Sequence, residues 1–263
     1  MKKHSIVIVG GGPAGMAAAL FMAERGHTVT LYERSSELGG MLSPVSRLCH
    51  KDSYQHLCSY FQTALERSSV AVKKSCTFDP EKITQKPDLL VVAAGGADVH
   101  PASLTCSERV VTVSQVLAGH ECGKRCLVVG GGLSGCELAL WLAQLDKDVT
   151  VVEAGPQLAA NMEQRTRRFF MPHLQAVGVK TFTGTEVAGF DNDGTVLLRS
   201  GEEILRIHDI DTVILAAGRK PNDDGLICAL ESCGLSYRRI GDVASCRNVM
   251  HAIHDAFSLS QEY

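Results

Sequence analysis

IVIVGGGPAGMAAALFMAERGHTVTLYE (residues 6–33) is answered further along the chain by LVVGGGLSGCELALWLAQLDKDVTVVE (127–153). The offset is 120 residues and holds from Gly10/Gly130 through Gly15/Gly135 to Glu33/Glu153. Each copy reads as a short apolar strand, a GxGxxG turn, a small-residue helix, a second strand and a closing acid. That order is the fingerprint of a dinucleotide-binding βαβ unit. Two such units in one short chain predict two nucleotide cofactors that exchange electrons.

In the first unit, Ser5–Val9 reads as a buried parallel strand. Gly10 permits the tight turn, Gly12 lets a pyrophosphate approach the backbone, and Gly15 lets helix and strand pack closely. Pro13, Ala14 and Gly15 open the helix, so its first N–H groups face an anion. Glu33, at the end of the strand Thr28–Tyr32, is placed to take ribose hydroxyls. Gly39-Gly40 and Met41-Leu42 follow, where the second copy has Ala159-Ala160. The difference predicts that the first unit holds a bulky flavin and the second does not.

In the second unit, Arg125–Val129 is the strand, Gly130, Gly132 and Gly135 form the turn, and Leu133-Ser134 replace Pro13-Ala14. Glu137 reads either as a charge compensating the helix dipole or as a polar group near a nicotinamide. Glu153 accepts a ribose 2′-hydroxyl and repels a 2′-phosphate, which favours NADH over NADPH. The strand Asp88–Ala93 ends in Ala93-Ala94-Gly95-Gly96, and Asp211–Ala216 ends in Ala216-Ala217-Gly218-Arg219. Small residues at the carboxyl end of parallel strands leave room for a ligand. The duplication therefore covers whole mononucleotide-binding units.

Other segments read more simply. After Ser43, Pro44 and Ser46 a mixed helix is predicted to run to about Arg67, then a linker helix over Thr112–Leu117 and a helix over Asn161–Ala176. Val187–Phe190 and Val196–Arg199 make a hairpin through the turn Asp191-Asn192-Asp193-Gly194. Near the end, Gly241-Asp242 precedes the helix containing Val249, Met250 and Ala252. Asp242 is placed for a ribityl hydroxyl or flavin-side phosphate. That helix can aim its N–H groups at a flavin pyrimidine. His251 and His254 share one face, without partners that would complete a metal set.

Composition narrows the classes. Net charge is −3 and basic residues are dispersed, so no nucleic-acid surface is expected. The apolar N-terminal stretch is interrupted by Gly10–Gly12 and Pro13, and is neither a signal peptide nor a membrane span. None of the ten cysteines forms a CxxC. The expectation is reduced thiols in a cytoplasmic protein. The nearest pairs in sequence, Cys122/Cys126 and Cys228/Cys233, lack a redox-motif context.

GGGPAG (10–15), LGG (38–40), VVAAGG (91–96), GKRCLVVGGGLSGCELAL (123–140), VTVVEAG (149–155), LAAGRKPN (215–222) and IGDVASCRNVMHAIHDAF (240–257) together resemble one family. It is the C-terminal flavin/pyridine-nucleotide portion of the 2,4-dienoyl-CoA reductase, 2-enoate reductase and trimethylamine dehydrogenase enzymes. The resemblance implies a glutathione-reductase-like α/β arrangement of two Rossmann-like, three-layer domains. Residues 1–118 and 219–263 would form a discontinuous FAD-binding domain, with an NAD(P)H-binding domain at 119–218 inserted in it. It further implies that Gly10, Gly12, Gly15, Glu33, Arg34, Gly40 and Asp242 hold FAD, with Met250 and Ala252 facing its ring. Gly130, Gly132, Gly135, Glu153 and Gly218 would hold NAD(P)H.

The implied activity is hydride transfer from NADH C4 to FAD N5, with no side-chain acid or base required. Electrons then pass to an FMN/iron–sulfur reductase domain or subunit, or another acceptor. The family's N-terminal TIM barrel has no counterpart in this sequence. Two alternatives stand beside this reading. One is a non-catalytic ADP- or NAD-binding module, since trimethylamine dehydrogenase carries ADP at the first site. The other is a disulfide reductase, which would need a spatial pairing of Cys49 with Cys58.

Overall fold

The computed structural model describes residues 2–101, 104, 108–191, 193–222 and 224–263. Cys106 and the turn residue Asn192 lie outside them. In chain order the elements run β1 (Ser5–Val9), α1 (Pro13–Glu24), β2 (Thr28–Tyr32), α2 (Leu42–Val45), α3 (Asp52–Glu66), β3 (Ala71–Lys73), β4 (Leu89–Val92) and β5 (Gly96–Asp98). They continue with β6 (Val110–Thr112), α4 (Val113–Leu117), β7 (Arg125–Val129), α5 (Leu133–Gln144), β8 (Asp148–Glu153), α6 (Gln164–Ala176), β9 (Lys180–Thr183), β10 (Glu186–Phe190), β11 (Val196–Ser200), β12 (Glu203–Ile207) and β13 (Thr212–Leu215). The chain closes with β14 (Arg219–Pro221), α7 (Leu226–Ser232), β15 (Arg238–Arg239) and α8 (Val249–Ser260).

The chain divides into two compact units. The first comprises Met1–Ser46, Lys51–Ala97 and Arg219–Tyr263, and the second Arg47–His50 and Asp98–Gly218. Each contains a five-stranded parallel sheet, ordered β15-β4-β1-β2-β3 in the first and β6-β13-β7-β8-β9 in the second. In both, the motif strand lies between the next strand and a later one: β1 between β2 and β4, β7 between β8 and β13. The chain thus leaves the motif strand toward one side and later returns on the other. The carboxyl end of that strand is the switch point where α/β sheets bind ligands.

The apolar strands and alanine-rich helix explain this local structure. Strand β4 reads LLVV and is buried throughout, as a parallel strand covered on both faces must be. Helix α1 buries Ala14 through Leu20 and Met22, apolar nearly all round, and packs against both α3 and α8. Three consecutive alanines keep it thin enough for neighbours on more than one side. Fully burying a large side chain such as Met16 or Met22 contributes about 2–3 kcal/mol.

The second unit also carries a three-stranded antiparallel sheet, β10-β11-β12, with a register irregularity between Val187 and Gly189. The predicted hairpin is its first two strands. The third strand was not foreseen, because Glu203–Ile207 shows no clear alternation of buried and exposed residues. The other differences are local. The helix expected to run to about Arg67 is α3, which ends at Glu66, and the short α2 precedes it. The helix expected from Asn161 starts at Gln164, where the Glu163 side chain accepts the Thr166 amide at 2.9 Å. The unit boundary expected at 118/119 falls at 97/98. The reason is β6, which pairs with β13 and so ties residues 110–112 to the second sheet.

Helix α4 is fixed by a capping box that follows β6 directly. Thr112 Oγ1 accepts the Gln115 amide at 3.2 Å, and Gln115 Oε1 accepts the Thr112 amide at 2.8 Å. Thr112→Ala is expected to lower stability by about 1 kcal/mol. Chemical denaturation of the two proteins measures it, and an unchanged midpoint would remove the cap from the account.

At the amino end of β1, His27 is buried and its Nδ1 accepts the His4 amide at 3.2 Å. The His4 and His27 rings lie 5.3 Å apart, and Tyr263 meets His4 edge-on. Burial, then the charge of His4, lowers the His27 pKa from its ordinary 6.5. The unfolded chain therefore takes up this proton at a higher pH than the folded one. Stability is complete above about 6.5 and falls as pH drops below it. Urea unfolding at several pH values between neutral and mildly acidic should show this slope, and His27→Gln should flatten it.

Candidate functional site

The two GxGxxG turns are superimposable in their chemistry. Gly10 and Gly130 have φ of +111° and +107°, and a Cβ on either would strike a carbonyl oxygen, Ala93 O at 2.3 Å or Ala216 O at 2.4 Å. A Cβ on Gly15 would lie 1.9 Å from Gly10 O, and one on Gly135 2.0 Å from Gly130 O. These four glycines are required by the protein's own packing. Gly12 and Gly132 are different. Each is extended, and an added Cβ would meet nothing within 4 Å. The space over them is open, as a site for close approach of a ligand must be.

Gly12 and Gly132 are also the N-caps of α1 and α5, and neither helix has a side-chain cap or an acidic residue in its first turn. The amides of Ala14 and Gly15, and of Ser134 and Gly135, open these helices toward that space. Such uncompensated N-termini favour anions, phosphate above all. Leu133 and Ser134 are exposed at the second turn, whereas Pro13 is half-buried and Ala14 buried at the first. Glu137 is the fifth residue of α5 and half-buried, beyond the first turn where dipole compensation acts.

Both closing acids have the same partners. Glu33 Oε2 accepts the Gly11 amide at 2.6 Å and Oε1 the Ser35 amide at 2.7 Å. Glu153 Oε2 accepts the Gly131 amide at 2.6 Å and Oε1 the Gly155 amide at 2.7 Å. Each carboxylate is thus held in place beside its turn by the backbone, with remaining lone pairs for hydroxyl donors. The sequence placed these acids but not the two amide bonds that orient them. Arg34 is exposed and pairs with Asp224 at 3.3 Å.

The loop after each acid also repeats. Gly39 N donates to Gly11 O at 2.8 Å, and Ala159 N to Gly131 O at 2.7 Å. Gly39 is needed because Cys58 Sγ would lie 2.4 Å from its Cβ, a packing reason internal to the protein. Gly40, at φ +53°, brings its backbone against Gly12, whose Cα would be 3.2 Å from an added Cβ. Of the pair, Gly40 is the one at the open turn. Met41 is half-buried and Leu42 is buried at the start of α2.

The strand ends flank these turns. Ala94 and Gly95 are half-buried beyond β4, and Ala217 and Gly218 are exposed beyond β13. The first unit adds a further wall. Gly241, at φ +67°, sits with its Cα position against Ala14, whose Cβ would be 2.8 Å from an added one, and Ala252 packs on the same side. Asp242 is therefore carried to the α1 turn, where it pairs with Arg219 at 3.5 Å and accepts the Arg247 amide at 3.3 Å. Helix α8 follows. Asn248 Oδ1 accepts the His251 amide at 3.1 Å and meets His251 Nδ1 at 2.7 Å. Val249 is half-buried at the helix start and Met250 is 53% exposed, while Ala252 is buried.

Asp255 is a site residue that sequence reading missed. Its Oδ2 accepts the Gly241 amide at 3.1 Å and the Arg247 guanidinium, which locks the Asp242 turn to α8. Its signal was its spacing from Asn248 within one helix, readable only once the turn is known to fold back. The cysteines near the turns take packing roles. Cys136 donates to Gly131 O at 3.2 Å, and burial pushes its thiol up to about 11. Cys58 is buried and donates to Leu38 O at 3.7 Å, whereas Cys49 donates to Gln144. Both thiols are free.

The geometry fits a dinucleotide in each unit. Both units have an open glycine at an uncapped helix start, with a fixed carboxylate beside it. The comparisons with known proteins agree. The sequence signature described as pyridine nucleotide-disulphide oxidoreductase matches residues 4–245. The chain is 33% identical over 267 residues to an NADH oxidase of Thermoanaerobacter brockii, covering 98% of this chain and 41% of the relative. It is 31% identical over 265 residues to a cinnamate reductase of Clostridium sporogenes, covering 97% and 39%. The chain thus spans about two fifths of the length of these relatives. Among solved structures, 2-naphthoyl-CoA reductase superposes with a TM-score of 0.92 at 25% identity, over 100% of this chain and 40% of that one. Histamine dehydrogenase from Rhizobium sp. 4-9 shares the fold, with a TM-score of 0.86 at 19% identity, over 100% and 44%. Among the described residues, no helix is long and apolar enough to cross a membrane. This chain belongs to the pyridine nucleotide-disulphide oxidoreductase family, and within it resembles the flavin/pyridine-nucleotide portion of the enoate reductase group.

Proposed function

We propose that this chain is an FAD-dependent NADH oxidoreductase module, with FAD in the first unit and NADH in the second. The observation that carries the assignment is the asymmetry between two otherwise matching turns. Among the described residues, the first has glycine at position 40 backed onto its open glycine, where the second has Ala160, and it has the Gly241–Asp242 turn with α8 beside its helix start. When bound, FAD supplies two-electron acceptance from a nicotinamide and delivery to a further acceptor.

The chain's own residues supply binding and orientation. The Ala14 and Gly15 amides hold one pyrophosphate and the Ser134 and Gly135 amides the other. Glu33 and Glu153 take ribose hydroxyls, each already aligned by two backbone amides. Asp242, fixed through Arg219 and through the Gly241–Asp255 bond, takes a flavin-side hydroxyl. The start of α8 offers positive potential to the flavin ring. No side chain is assigned proton transfer. The acceptor that the resemblance implies is an FMN/iron–sulfur reductase domain or subunit.

The test is anaerobic absorbance after FAD loading, with NADH and NADPH titrated separately. Bleaching of the flavin band by NADH at lower concentration than by NADPH is expected. A folded protein that takes up no flavin would overturn the assignment in favour of a nucleotide-binding module without redox work.

A further inference from the structure

The three-stranded sheet of the second unit ends in an open edge. β12 pairs with β11 on one side and is the last strand in the order β10-β11-β12. Residues 201–206 are all exposed. Ile204 is 56% and Leu205 46% exposed, and as neighbours in a strand they point to opposite faces of the sheet. Free edges are ordinarily blunted by a lysine, a proline or a bulge. Residues 201–207 contain neither lysine nor proline, and the register with β11 is unbroken from Val196/Ile207 to Ser200/Glu203.

The backbone of this edge has a definite polarity. Gly201-Glu202 is a two-residue turn, with Ser200 opposite Glu203. In such a hairpin the flanking pair carries the ladder hydrogen bonds, and bonded and non-bonded pairs alternate from there. Glu203, Leu205 and Ile207 thus turn their backbone groups to β11, and Ile204 and Arg206 turn theirs to the open side. The charges repeat at the same two-residue step. Glu202, Ile204 and Arg206 read acid, apolar, base, which is the mirror of itself when the strand is reversed. Arg199, opposite Ile204 on β11, is already paired with Glu186 at 2.9 Å. Glu202 and Arg206 enter no ion pair among the described residues.

We infer that β12 pairs antiparallel with β12 of a second copy of this chain, across a two-fold axis at Ile204, joining the two three-stranded sheets. Antiparallel pairing sets outward backbone groups against outward backbone groups, so only registers in even steps are open to a strand meeting its own reverse. The register centred on Ile204 places Glu202 of each copy opposite Arg206 of the other, with the two Ile204 side chains facing each other between them. The next register, centred on Leu205, sets Ile204 opposite Arg206 and loses both Glu–Arg pairs. Charge complementarity therefore selects a second copy as the occupant and fixes how it lies. The contact is a few residues wide, so the dimer is weak and depends on concentration.

The experiment measures the mass of the full chain by light scattering after size-exclusion chromatography, over a concentration series. A mass rising toward twice that of one chain is expected. Glu202→Arg sets arginine opposite arginine at both ends of the pairing, and Arg206→Glu sets glutamate opposite glutamate. Each should raise the dissociation constant of the dimer at least about tenfold. The two changes together put opposite charges face to face again and should bring dimerisation back. Both residues are exposed, so thermal melts by circular dichroism should not move. Hydrogen exchange on the unaltered protein reads the same contact without a variant, since the Ile204 and Arg206 amides should exchange more slowly as concentration rises. A chain that stays monomeric at every concentration, a dimer indifferent to either charge reversal, or a double variant that dimerises no better than the single ones would overturn the proposal.

Discussion

Gly12→Val leaves the protein folded and removes its capacity to take up FAD. An added Cβ at Gly12 meets nothing within 4 Å, and the backbone there is extended, open to any residue. The folding cost is therefore about 1 kcal/mol, the difference between glycine and valine at a helix N-cap. The branched side chain nevertheless fills the space into which the Ala14 and Gly15 amides point. An expected loss of at least about 100-fold in FAD affinity corresponds to about 2.8 kcal/mol. Gly15→Val gives the opposite pattern. Its Cβ would lie 1.9 Å from Gly10 O, a backbone atom that cannot rotate away. Overpacking of this kind costs several kcal/mol and should leave little soluble folded protein. Thermal melts by circular dichroism, paired with flavin absorbance per mole of protein, separate the two. A Gly12→Val protein that stays yellow would remove the first unit as the flavin site.

The second large effect is expected at Glu153. In Glu153→Ala the Gly131 and Gly155 amides lose their acceptor at once. Hydrogen bonds to a charged group contribute about 1.5–3 kcal/mol each, although water reaches this half-buried position and reduces the loss. The motif turn and the following loop should loosen together. The KM for NADH should rise at least about tenfold while the preference over NADPH shrinks, because the repulsion of a 2′-phosphate disappears as well. Glu153→Gln keeps only one acceptor oxygen and turns an amide donor toward a backbone donor, so it should fall between the two. Steady-state kinetics with both coenzymes on FAD-loaded protein measures this. Glu33→Ala serves as the internal control, since it should weaken flavin retention and leave the coenzyme ratio unchanged. An unaltered NADH/NADPH ratio in Glu153→Ala would show that other residues select the coenzyme.

Much of the fold was legible because its signals are local. β1, β2 and β7 occur at the residues expected, since apolar runs bounded by glycine turns leave little choice of register. The segments misread are those whose signal is not local. Val110–Thr112 is too short to announce a strand and becomes one by pairing with β13. Glu203–Ile207 alternates poorly, with Ile204 and Leu205 both exposed, and is a strand because β11 offers it an edge. Gly39-Gly40 was read as a single feature. The structure separates it into one glycine required by Cys58 and one backed onto Gly12.

By itself the sequence determined the duplicated βαβ units, the turn glycines and the acid after each second strand. These follow from chain geometry within about thirty residues, where steric limits and period act directly. Tertiary structure alone decided which groups hold those acids and how Asp255 locks the Asp242 turn. Hydrogen bonds of this kind depend on distances between groups brought together by packing, and spacing along the chain does not encode them.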